Sequence, residues 1–201
     1  MPRLNRTFYS RATVEVARDL LGRMLIHQTR ARRIAGRIVE TEAYSGFEDE
    51  ASHGYRGKTA RNVVMFGTPG FSYVYFIYGN YWMMNVVARP QRVEYPGAVL
   101  IRALEPVEGL ELMASNRSGR PQRDWTNGPG KLTMALNIDA RHDGIDLTMP
   151  DSPLFLETGQ PVPDTNVATG PRIGLGRRVS EPWVSKPWRF WIANSNFVSG
   201  Q

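Results

Sequence analysis

The sequence predicts an α+β fold, a single domain over residues 1–201 built on an antiparallel sheet with short flanking helices. Three observations carry that prediction. The length of 201 residues suits one domain of ordinary size. Segments with strand patterning outnumber helical ones. The two kinds are not regularly interleaved, as a doubly wound parallel sheet would require.

The elements follow in order. Residues 10–22 read as a helix, with Val16, Ala17, Leu20, Leu21 and Met24 at helical spacing, Ser10 as N-cap and Gly22 as stop. Met24 to His27 and Gly36 to Tyr44 read as strands around a basic turn, Gln28 to Arg33. Phe71 to Tyr78 and Tyr81 to Ala88 are aromatic, β-branched strands joined at Gly79-Asn80, a two-residue hairpin signal. Ala98 to Leu104 is a further apolar strand, and Pro106 stands where a helix running towards Arg117 can begin. Pro129 opens a short helix carrying Leu132, Ala135 and Leu136. Short strands among Gly and Pro turns complete the chain, ending in the aromatic segment Trp188 to Trp191.

Composition excludes several classes. There is no cysteine, and therefore no disulfide, thiolate zinc site, iron–sulfur cluster or cysteine nucleophile. The histidines His27, His53 and His142 never stand at a metal-ligand spacing, so no metal or cofactor is expected. No run of eighteen apolar residues exists, and Met1 to Arg11 are too polar for a signal peptide, so the expectation is a cytoplasmic protein with no membrane contact. The net charge is +6, and all but Lys58, Lys131 and Lys186 of the 25 cations are arginine. Arginine presents a planar fork matched to phosphate, which suits a polyanion such as nucleic acid. A solvated basic surface reads equally well from charge alone.

Four stretches could carry chemistry. In Val39-Glu40-Thr41-Glu42-Ala43-Tyr44, strand alternation puts Glu40, Glu42 and Tyr44 on one face. Such carboxylates, roughly 7 Å apart, make a solvated face, the floor of a site, or a glycosidase pair. In Phe71 to Trp82, Tyr73 and Tyr75 share a face, and Tyr78 flanks the turn, where a core aromatic seldom sits. Aromatic faces stack on nucleic-acid bases. His53 lies in a polar loop downstream of Glu42, and Gly128-Pro-Gly-Lys131 before a helix could seat a phosphate. Gly174-Leu-Gly176 lacks the third glycine of a dinucleotide fingerprint.

In series, Gly36-Arg-Ile-Val-Glu-Thr-Glu42-Ala-Tyr44, Asp49-Glu-Ala-Ser-His53, Met65-Phe66 with Pro69-Gly70, Tyr73-Val-Tyr75-Phe-Ile-Tyr78-Gly79, Met84-Asn85, Leu100-Ile-Arg102-Ala-Leu-Glu-Pro106 and Asn127-Gly-Pro-Gly-Lys131-Leu resemble the alkyladenine (3-methyladenine) DNA glycosylase family. The stretches come in the family's order, from Phe8 to Phe197. The resemblance implies one mixed domain around a curved antiparallel sheet. It implies a monofunctional repair glycosylase, a monomer acting on double-stranded DNA that contains damaged purines. Such an enzyme flips an alkylated or deaminated purine nucleotide and hydrolyses its N-glycosidic bond, the first step of base excision repair.

By position, the resemblance makes Glu42 the base that activates water and sets Arg102 beside that water and the target phosphodiester. Tyr44, His53 and Tyr75 would wall the flipped base, and Asn85 would stand at the pocket rim against guanine's exocyclic amine. Tyr78 would fill the gap in the duplex, and Arg61 and Lys131 are candidates for holding the DNA backbone. Glu40→Gln is expected to cost much less than Glu42→Gln. The loop Arg89 to Pro96 matches no family pattern. Two other classes stay open: a non-catalytic nucleic-acid-binding module, which leaves Glu42 without a task, and a carbohydrate hydrolase pairing Glu40 with Glu42, which leaves the arginine excess unexplained.

Overall fold

The computed structural model describes residues 1–200. The expected helix over 10–22 is two helices. Asn5 accepts the Phe8 N–H at 3.2 Å and caps α1 (Arg6–Tyr9), and Ser10 closes it by donating to the Arg6 carbonyl at 2.9 Å. Ser10 is therefore a C-cap, and Ala12 precedes α2 (Thr13–Asp19). The break has a tertiary cause: the Thr13 hydroxyl donates to the Ala88 carbonyl at 2.7 Å and ties the start of α2 to the sheet. Val16, Ala17, Leu20 and Leu21 are buried, as their spacing required. Gly22 turns the chain at φ +82°, where a Cβ would stand 2.0 Å from the Gln160 carbonyl oxygen.

β1 (Met24–Gln28) and β2 (Arg33–Ser45) pair antiparallel, and β3 (Ser72–Ile77) and β4 (Tyr81–Val87) form the expected hairpin. β5 (Gly97–Glu108) runs through the expected helix start. Pro106 sits in the ladder opposite Gly36, beside a register shift, and α3 (Leu110–Asn116) begins only after Gly109. A bulge already interrupts the ladder there, which is where a sheet tolerates proline. α4 (Pro129–Leu136) does start on its proline. β6 (Leu154–Glu157), β7 (Val167–Gly170) and β8 (Arg189–Ile192) complete the sheet.

The strand order is β3-β4-β5-β2-β1-β6, with β8 pairing both β2 and β7. β2 is the pivot. One edge meets β5 along its length, while the other is shared between β1 at residues 33–37 and β8 at residues 40–42. This curved antiparallel sheet with short helices is the α+β architecture expected. α2 packs on β2 and α4 on β4, burying Val16, Leu20, Leu132 and Leu136 with Ile38, Val86 and Ile101 in one core. Apolar burial of this kind contributes about 25 cal/mol per Å².

Two register shifts matter for function. The β2–β5 ladder steps from Ile38–Leu104 to Glu40–Ala103 and then to Thr41–Ile101. Val39 on one strand and Arg102 on the other are left without an opposite residue. Bulges bend a strand and re-aim its side chains.

Candidate active site

The bulge brings Arg102 between the two carboxylates of β2. Its Nε donates to Glu40 Oε1 at 2.9 Å, its Nη1 stands 3.2 Å from Glu42 Oε2, and its Nη2 donates to the Ser199 hydroxyl at 3.0 Å. Glu40 and Glu42 thus share a face, as alternation required, but they do not share a task. Glu40 accepts from Arg102, from Arg189 Nε at 2.7 Å, and from the Ser199 N–H and hydroxyl at 2.6 and 2.8 Å. Both carboxylates are fully buried, so it is these four bonds, and not burial, that leave Glu40 no freedom to act as the second carboxylate of a glycosidase. Arg102 is likewise buried, at 6% exposure, with its nitrogens on Glu40, Glu42 and Ser199.

Glu42 is held more lightly. Its Oε1 accepts the Ile173 N–H at 2.6 Å and its Oε2 the Tyr44 hydroxyl at 2.7 Å. Burial pushes its pKa up, while Arg102 and those two donors oppose the rise. The Tyr44 phenol is pushed well above its usual range by burial and then by Glu42, so it remains a donor.

Above Glu42 opens a cleft of about 620 Å³. Tyr44, His53, Tyr75, Asn85, Tyr78 and Arg61, all named from sequence, line it together. Its inner walls are neutral. Burial, with Arg61 nearby, lowers the His53 pKa to about 4, and His53 Nδ1 lies 2.8 Å from the Tyr73 hydroxyl. Burial raises Tyr75 to about 12. The rings of His53 and Tyr75 meet edge-on at 4.5 Å, and the Arg61 guanidinium sits 5.2 Å over Tyr75. Asn85 is 3% exposed and donates to the Tyr73 and Met83 carbonyls at 3.1 and 3.3 Å, which puts it on the inner wall rather than the outer rim. Glu42 and Arg102 lie beneath this lining. Lys131 stands apart on α4, its ammonium on Asn127 Oδ1 at 2.7 Å.

The hairpin tip differs from its expected form. Ile77 pairs with Tyr81, so the turn is Tyr78-Gly79-Asn80, and Tyr78 belongs to it rather than to the strand. Tyr78 has φ +55° and Gly79 φ +74°. A tyrosine in the left-handed region is strained by about 1–3 kcal/mol. Its ring is 75% exposed at the cleft mouth.

Sequence reasoning missed the far wall. Gly174, Leu175, Gly176, Arg178 and Val179 line the cleft, and the Ser180 N–H and hydroxyl both hold Glu50 at 2.7 Å. The glycines there had been weighed only against a dinucleotide fingerprint. Tyr73 and Met65 line it too. No group of three or more His, Cys, Asp or Glu among the described residues could hold a metal ion. No helix there is long and apolar enough to cross a membrane.

Comparison with known proteins gives this site a family. The family model described as methylpurine-DNA glycosylase matches residues 7–196. A relative from Methanocella arvoryzae, named "Putative 3-methyladenine DNA glycosylase", is 48% identical over 99% of this chain and 96% of its own. Relatives of the same name from Streptomyces avermitilis and Desulfitobacterium hafniense are 46% and 45% identical, over 98% and 99% of this chain and 90% and 99% of theirs. Matched in this way almost from end to end, the chain belongs to the methylpurine-DNA glycosylase family.

Proposed function

We propose that this DNA glycosylase turns an alkylated or deaminated purine nucleotide out of double-stranded DNA into the cleft and hydrolyses its N-glycosidic bond with a water activated by Glu42. The observation that carries the reading is Glu42 itself: a buried carboxylate held by Arg102 and Ile173, and joined to the aromatic cleft by the hydroxyl of Tyr44, which lines it. Burial makes it a better base, and Arg102 keeps it ionised and ready to take a proton. As the water oxygen bonds to C1′, its proton passes to Glu42, and the glycosidic electron pair leaves with the purine. A base already cationic from alkylation departs as a neutral ring and needs no strong acid. The carboxylate also faces the positive charge that develops on the sugar.

The walls suit such a base. Tyr44, Tyr75 and His53 offer neutral aromatic surface, favourable to a cationic or electron-poor ring. Asn85 on the inner wall crowds a guanine amine. Tyr78 at the mouth fills the step that the purine vacates, which slows its return. Arg61 at the cleft and Lys131 on α4 hold the phosphate backbone. The damage itself lowers the few kcal/mol that unstacking costs. No lysine lines the cleft among the described residues, in keeping with water rather than an amine as nucleophile. The enzyme works as a monomer in the cytoplasm, at the DNA.

The test is release of free base from methylated duplex. Wild-type protein should release 3-methyladenine, detected by chromatography of the supernatant. Glu42→Gln should bind the same duplex and release base at least about 100-fold more slowly, the usual worth of a general base. Undiminished release by Glu42→Gln would remove Glu42 from the chemistry.

A further inference from the structure

Arg172 has no part in the reading above, yet its side chain is wholly buried near the site and only its Nε lacks a partner. Its guanidinium and the Asp49 carboxylate are wholly buried and meet on two prongs, Nη1–Oδ2 at 2.7 Å and Nη2–Oδ1 at 2.8 Å. Nη1 also donates to the Ala43 carbonyl at 2.9 Å and Nη2 to the Trp183 carbonyl at 3.3 Å. Asp49 in turn accepts the N–H groups of Ser45 and Ala51 at 3.2 and 3.1 Å. The pair therefore joins β2, the loop after it and the segment before β8. A buried ion pair is costly to assemble, and apolar residues of similar volume often do as well or better. What a guanidinium fork adds is fixed direction.

That direction leads to Glu42 by two routes. The residue after Arg172 is Ile173, whose N–H donates to Glu42 Oε1 at 2.6 Å. The guanidinium also lies 4.8 Å over the ring of Tyr44, whose hydroxyl holds Glu42 Oε2 at 2.7 Å. Trp188, 5.3 Å from the same guanidinium, supports it from another side. Apart from Arg102, both donors to Glu42 are therefore secured by Arg172.

We propose that Arg172, paired with Asp49, is a positioning residue for catalysis that holds the Ile173 N–H and the Tyr44 hydroxyl against Glu42. The inference rests on Glu42 being the base. Without Arg172 the two donors slacken, the carboxylate loses orientation, and its charged form loses hydrogen bonds that favour it. The charged and titratable groups around Glu42 are Arg102 of β5, Glu40 and Tyr44 of β2, Tyr75 of β3, and Arg189 of β8, its ladder partner. All of these remain in the variants below.

The experiment is single-turnover excision from a duplex with one alkylated purine, followed from pH 5 to 9. It compares wild type, Arg172→Lys, and the double variant Arg172→Met with Asp49→Leu. Lysine keeps a charge opposite Asp49, and the double variant leaves no charge unpaired, so the two perturb folding in different ways. Rates are taken per folded molecule, and binding is measured to a duplex carrying a stable abasic analogue. Both variants should excise about 10- to 100-fold more slowly, the worth of one hydrogen bond to a charged group. The acid limb of the rate profile should move to higher pH, while binding of the analogue duplex stays unchanged. A full rate per folded molecule with an unmoved acid limb, in either variant, would overturn the proposal. Glu42→Gln runs alongside as a reference. If it still excises, the base assignment falls; if it is inactive beside unaltered Arg172 variants, only the positioning role falls.

Discussion

Glu40 and Glu42 stand two residues apart on one strand, and their hydrogen bonds separate them. Glu40 binds Arg102, Arg189 and Ser199. An amide in its place turns an NH2 group towards some of those donors and leaves two guanidinium groups short of a counter-charge. Breaking a buried pair from one side costs about 3–5 kcal/mol. Glu40→Gln is therefore expected to lower the thermal midpoint markedly, by circular dichroism, and to slow excision through a displaced Arg102. The same excision assay checks the expectation that Glu40→Gln costs excision much less than Glu42→Gln. Alternation along β2 correctly put both carboxylates on one face, because the extra residue at the Glu40–Thr41 step is Arg102 of β5 and not a residue of β2. The partners that decide their roles were not legible. Ile173 lies 131 residues from Glu42, and Ser199 lies 159 from Glu40.

At the scale of elements, the β3–β4 hairpin holds Tyr78, the proposed wedge, under backbone strain. Tyr78 adopts a backbone conformation that glycine enters freely, so Tyr78→Gly should raise stability by about 1 kcal/mol in denaturant melts. It should also depress excision from a paired duplex by the stacking it forfeits, about 1–3 kcal/mol. A mispaired lesion needs less flipping work, so the loss there should be smaller. Equal losses on both duplexes would place Tyr78 in the pocket rather than in the helix gap. The hairpin was readable because Gly79-Asn80 is a strong local signal, yet its register was off by one, since Tyr78 itself takes the first positive φ. The helix over 10–22 and the helix start at Pro106 failed for a related reason. In each, a tertiary tie at Thr13 or a bulge beside Pro106 overrides the local preference.

The whole molecule should lose stability in mild acid. Burial, then Arg61, lowers the folded pKa of His53 to about 4, against about 6.5 in an unfolded chain. Burial and His27 lower His142 as well, the two rings sharing a 3.1 Å Nε2–Nε2 contact. Between pH 6.5 and about 4 the unfolded chain takes up protons that the folded one refuses, so stability falls as pH falls through that window. Thermal midpoints measured from pH 7 to 4.5 should follow that slope, and His53→Asn should flatten it. Strands β2 to β5 and the near wall of the cleft were legible because they come from contiguous runs between residues 33 and 108. The far wall at 174–179 mixes glycines and arginines with only Leu175 and Val179, with no periodicity to mark it.

The long reach of those hydrogen bonds also gives the site an order in time. On a ribosome, Glu40 and Glu42 emerge early and then wait. Ile173 reaches Glu42 only once 131 further residues have been made, and Ser199 reaches Glu40 only after 159. Until then a nascent chain holding the complete aromatic hairpin has a base with neither Arg172 nor its backbone donor in place. Such a chain also lacks β8, so the edge of β2 from Glu40 to Glu42 stays unpaired until Arg189 to Trp191 arrive, and the site and the sheet edge that supports it are completed together.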